Sequence, residues 1–123
     1  MTIEKPTLKF TPEWEFLNDP EIKQIQIFLD ESFFSTKKKE ERDAALKYFE
    51  EGMEKLMGNL PTIAKSNPNR LGQILLFVRT NMRILDKGGM STGRSQQHNV
   101  LVKINKCFFD NYKDLWNEIT NKE

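Results

Sequence analysis

Apolar positions recur with helical spacing along four stretches of the chain. In "NDPEIKQIQIFLDESFF", Ile22, Ile25, Leu29 and Phe33 share one face. Asn18 or Asp19 stands where a cap is needed and Pro20 suits a first turn, which predicts a helix over 20–34. Ile27 and Phe34 lie well round that helix from the stripe. "STKKKEER" breaks the pattern and offers Ser35 or Thr36 as a cap for a second helix over 37–57. Its stripe is Ala45, Phe49, Met53 and Leu56, with Gly52 on the same side. A helix-interior glycine costs about 1 kcal/mol relative to alanine, and is tolerated where a neighbouring helix packs close. "GNLPTIAKSNP" reads as a connector.

The third helix is predicted over 68–87, with Asn67 as cap, Pro68 in the first turn and Gly88 as the stop. Leu71, Ile74, Leu75, Val78, Met82 and Leu85 form its core stripe, while Phe77 and Ile84 fall on the far side. A helix apolar on two faces is either central or serves a second interface. Residues 88–99, "GGMSTGRSQQHN", are small and polar and read as a loop. A fourth helix is predicted over 97–120, on Leu101, Ile104, Phe108, Tyr112, Leu115 and Ile119. Before the first helix, Pro6, Pro12 and the spaced aromatics Phe10, Trp14 and Phe16 suggest an extended arm over 1–18. That arm either packs across the helices or docks on another chain. No useful strand-like alternation occurs. The expected fold is all-α: a compact bundle of about four helices in a single domain over 19–121, with an extended N-terminal arm.

Composition supports one ordered domain. At 37% hydrophobic and 30% charged, the 123-residue chain is too apolar for a disordered one. Cys107 is the only cysteine, so no internal disulfide exists and a reducing, cytoplasmic or other intracellular compartment is expected. No apolar run reaches the roughly 20 residues of a membrane span, and the first residues lack a signal-peptide core.

Charge changes the picture more. Residues 1–60 carry 9 Lys/Arg against 13 Asp/Glu, a local −4. Residues 61–106 carry 8 against 1, a local +7, and residues 107–123 carry 2 against 4, a local −2. Arg79, Arg83 and Lys87 recur every four residues on one helix flank, and like charges so placed repel. Something acidic belongs near them: either a partner or the protein's own carboxylates.

"GGMSTGRS", Gly88 to Ser95, has the spacing of a phosphate-binding loop, with Arg94 where lysine is usual. In that motif a strand feeds the glycine loop, whereas here a helix precedes it, which argues against a nucleotide site. The weaker possibility is a single phosphate held ahead of the next helix by Arg94 and Ser95. His98 and Cys107 are nine residues apart, about 13 Å on one helix, too far for a nucleophile pair. There are too few His and Cys ligands for a metal site. The clusters Glu40, Glu41, Asp43 and Glu50, Glu51, Glu54 sit among lysines and read as solvated surface. The chain is therefore expected to be non-enzymatic, with no cofactor and no metal.

Binding remains. Arg79, Arg83, Lys87, Arg94, Ser95, Lys103 and Lys106 are the expected contacts to an acidic partner, with RNA or DNA phosphate the foremost candidate. Gln96, Gln97, His98 and Asn99 would add polar contacts. The alternative is a protein-interaction module, adaptor or small inhibitor, in an assembly with other subunits or with copies of itself. It would act through Phe77, Ile84, Ile27, Phe34 and Trp14. A membrane partner is not expected.

"LPTIAKSN" followed by "LGQILLF", within Leu60 to Phe77, resembles a segment of the small helical subunit of type III-B CRISPR effector complexes. There a proline-containing helix end leads into a Gly-Leu-x-Gln-x-Leu-x-Phe helix. This chain has Pro68-Asn69-Arg70 where that family has a single glycine, and the flanks do not agree. The stretch is too short to place the chain in that family. The resemblance implies a non-catalytic, RNA-facing subunit.

Overall fold

The computed structural model describes residues 12–32, 37–87 and 92–123, and for 12–14, 87 and 92–95 the backbone alone. Among these residues the structure is all-α and has no strand: a 3₁₀ helix over Pro12–Asn18, then α1 (Pro20–Glu31), α2 (Lys39–Ser66), α3 (Pro68–Lys87), α4 (Thr92–Asn111) and α5 (Lys113–Thr120). Helix α3 is central, touching the 3₁₀ helix, α2, α4 and α5, and α1 lies against α2.

Residues 12–18 are not extended. The 3₁₀ helix lets the Asp19 N–H donate to the Phe16 carbonyl at 3.1 Å, and it drives Phe16 into the core, where it is fully buried. The same turn delivers Asp19 as the α1 cap, accepting from the N–H groups of Glu21 at 3.0 Å and Ile22 at 3.3 Å. The Asp19 and Glu21 carboxylates both accept from the Arg70 guanidinium of α3. Burial alone would push the Asp19 carboxyl up, but Arg70 and the cap N–H groups hold it below the usual carboxylate range. Here the acidic N-terminal half does meet the basic middle.

Helix α1 ends at Glu31, before the expected 34. Helix α2 is capped at Lys38, where the backbone N–H donates to Glu41 at 3.4 Å. The expected connector after residue 57 is helix. Although Pro61 removes one backbone donor, α2 continues to Ser66 because Leu60 and Ile63 extend the buried stripe of Phe49, Met53 and Leu56. Asn67 then caps α3, accepting from the Arg70 N–H at 3.3 Å. At the far end, the expected single fourth helix is two. Tyr112 adopts φ −136°, ψ 52° and separates α4 from α5, turning Leu115 and Ile119 onto α3 beside Gly72. A Cβ on Gly72 would lie 3.9 Å from Leu115 Cδ1, an ordinary contact.

Gly52 and Gly58, both inside α2, differ in what faces them. A Cβ at Gly52 would lie 2.9 Å from Ile25 Cγ1, so α1 and α2 approach closely there, whereas nothing lies within 4 Å of one at Gly58. Gly58→Ala is expected to raise unfolding free energy by about 0.8–1 kcal/mol through helix propensity. Gly52→Ala loses that gain to the clash with Ile25. Paired urea titrations check this, and an equal gain at both sites would contradict the close approach.

Candidate anion-binding site

The polar groups of the bundle sort into those that lock helices together and those that face outward. Gln26 of α1 and Asn81 of α3 form a reciprocal amide pair, at 3.1 and 2.8 Å, and the Asn81 amide also donates to the Phe77 carbonyl at 2.9 Å. Gln97 of α4, 1% exposed, donates to Ser32 Oγ at 2.7 Å. Gln97 is thus a core residue and not a surface contact, a correction to the expected polar loop. His98 likewise lies within α4, its Nε2 3.1 Å from Asp86 Oδ1 on α3. These residues carry no periodic apolar signal, so sequence patterning does not find them.

Among the expected interface residues, Phe77 is fully buried, packed edge-on against Phe16 with ring centroids 5.7 Å apart. Its second apolar face exists because α3 is central, so Phe77 offers no surface to a partner. Ile27 and Ile84 are exposed, at 38% and 45%. Phe34 lies outside the described residues, and of Trp14 only the backbone is described.

The basic residues divide by surroundings. Lys106 bonds Asp110 one turn on, at 2.8 Å. Lys103 is exposed beside a cleft of about 210 Å³ between α2 and α4, which Glu50, Glu54 and Val100 also line. Lys87 ends α3, and Arg94 and Ser95 occupy the first turn of α4, where the structure describes backbone only. Gly88 to Ser91, the glycine part of the phosphate-loop pattern, lie outside the described residues, but helices flank them on both sides.

Arg79 and Arg83 come together on one carboxylate. Glu123, in the turn after α5, accepts from Arg79 Nε at 2.7 Å through Oε2 and from Nη2 at 2.8 Å through Oε1. Arg83 Nη1 stands 3.3 Å from the same Oε2. Arg79 is held from behind: its Nη1 donates to Asn105 Oδ1 of α4 at 3.2 Å, and that oxygen also accepts from Trp116 Nε1 of α5 at 3.0 Å. The guanidinium also lies 5.7 Å from the Trp116 ring centroid. Three helices therefore aim one planar fork outward, the geometry that suits carboxylate or phosphate. The Arg79 hydrogen bonds hold the Glu123 carboxyl below its usual range against the opposing effect of burial, and the same bonds raise the Arg79 pKa. The acidic group that the arginine flank required is supplied, in this structure, by the protein itself.

Among the described residues no group of three His, Cys, Asp or Glu side chains could hold a metal ion, and no helix is long and apolar enough to cross a membrane. Compared with protein-family models, curated proteins and solved structures, the chain finds no match.

Proposed function

We propose that this is a non-enzymatic helical binding domain whose α3–α4 face contacts nucleic-acid phosphate, acting as a subunit of a larger assembly. The observation that carries the proposal is the convergence of Arg79 and Arg83 on a single oxyanion, with Arg79 pre-aimed by Asn105 and Trp116. A fork fixed in advance loses little side-chain entropy when an anion binds. The Lys87 and Arg94 positions at the facing ends of α3 and α4 add charge along the same two helices, whereas Lys103 lines the α2–α4 cleft with Glu50 and Glu54. Contacts of this kind give sequence-independent, salt-sensitive affinity.

A second proposal has its own support. Ile84 on α3 and Ile27 on α1 are large apolar side chains left 45% and 38% exposed, which favours contact with another protein subunit. Purification of the tagged chain from its own host separates the two. The nucleic-acid proposal expects nuclease-sensitive material that co-elutes at low salt and dissociates at high salt. A protein partner that survives high salt and nuclease, with no nucleic acid present, would contradict it.

A further inference from the structure

Glu123 occupies the fork of Arg79 by the two-point geometry that a phosphate would use. The arginine does not need Glu123 to keep its aim. Its Nη1 bond to Asn105 and its place by the Trp116 ring involve different atoms and different helices. Glu123 lies outside α5, where its N–H donates to the Thr120 carbonyl at 3.1 Å. The fork thus has its own contacts to α4 and α5, and its occupant comes from the residues after α5.

We propose that Glu123 is an intramolecular stand-in for the ligand, and that a phosphate of single-stranded nucleic acid displaces it from Arg79 and Arg83. This inference rests on the nucleic-acid reading of the face and adds a gate to it. What favours a single strand over an acidic peptide is the aromatic pair beside the fork. Phe109, 37% exposed, packs edge-on against Trp116 with centroids 4.9 Å apart, and Lys113 Nζ lies 4.4 Å from the Phe109 ring centroid. An exposed ring next to a cation and an oxyanion fork supplies both things a single strand uses, base stacking and phosphate pairing. The gate holds the basic face closed to weak anions and opens to a polyanion that binds at several points at once.

The test uses the full chain and a fluorescein-labelled 20-nucleotide oligouridylate, followed by anisotropy at 50 mM KCl. Removing a competing surface ion pair predicts that Glu123→Gln binds about fivefold more tightly than wild type. The slope of log affinity against log salt should steepen by about 0.7 for each additional phosphate that the variant neutralises. Glu123→Asp, which keeps the charge, should give most of the wild-type affinity, and circular dichroism of each variant establishes that it is folded. Wild-type binding that Glu123→Gln leaves unchanged would overturn the gate and leave the nucleic-acid face standing. No binding by either protein would overturn both. A tightening seen for polyglutamate and not for the oligonucleotide would overturn the proposed occupant in favour of an acidic protein.

Discussion

Phe77→Ala is expected to lower the free energy of unfolding by about 3–5 kcal/mol, the usual cost of removing a fully buried phenylalanine. Phe77 is 0% exposed on the central helix, and its ring meets Phe16 at an interplanar angle of 69°. Such edge-on pairs contribute about 0.5–1.5 kcal/mol beyond their burial. The loss also loosens the 3₁₀ helix, because Phe16 is the side chain that seats it, and with it the Asp19 cap of α1. Against a typical total of about 5–15 kcal/mol, the variant sits near the edge of stability. Urea titration followed by circular dichroism measures it. A loss below about 1 kcal/mol, or a change of oligomeric state without a loss of stability, would mean that Phe77 acts at a surface after all.

How much of this is legible in the sequence differs from element to element. Helix α3 is legible to its ends, because Asn67 and Pro68 mark its start and its stripe is unbroken. The apolar stripes of α1, α2 and α4 are legible for the same reason. The Pro61 segment is not, because a proline reads as a stop unless one knows that Leu60 and Ile63 are buried around it. Nor is the break at Tyr112. No glycine or proline marks it, and it follows from α5 folding back on α3. The two apolar faces of α3 leave open whether it is central or binds a partner, and only its position between four neighbours decides this for Phe77.

The candidate site is half legible. The spacing of Arg79 and Arg83 announces a demand for negative charge. Nothing in the sequence points to Glu123 as the answer, because the contact spans 44 positions and depends on the α4–α5 break. Asn105 and Trp116 carry no signal of their role either. One is a lone amide and the other a lone indole, yet together they aim the guanidinium.

The second large effect concerns that arginine pair. Arg79→Glu/Arg83→Glu replaces two cations by two anions, so the fork repels Glu123 and any phosphate alike. Losing two phosphate partners and adding two repulsive charges is expected to weaken single-stranded RNA binding at least about 100-fold at 50 mM salt. The double variant also loses the bonds to Glu123 and Asn105, so its stability falls modestly, by about 1–2 kcal/mol. Lys103→Glu serves as the control variant. Its side chain is exposed on α4 but lines the α2–α4 cleft with Glu50 and Glu54, so it changes the charge of the chain away from the fork. It is expected to leave binding within about twofold and stability within about 0.5 kcal/mol.

The central claim, that the α3–α4 face grips phosphate, is tested most directly by titrating the wild-type chain into labelled single-stranded RNA at salt concentrations from about 50 to 200 mM. The predicted result is a linear fall of log affinity with log salt, with a slope of about −0.7 for each phosphate neutralised, which Lys103→Glu keeps and Arg79→Glu/Arg83→Glu makes shallower by about 1.4. Absence of binding at the lowest salt, or a slope that all three proteins share, would contradict it.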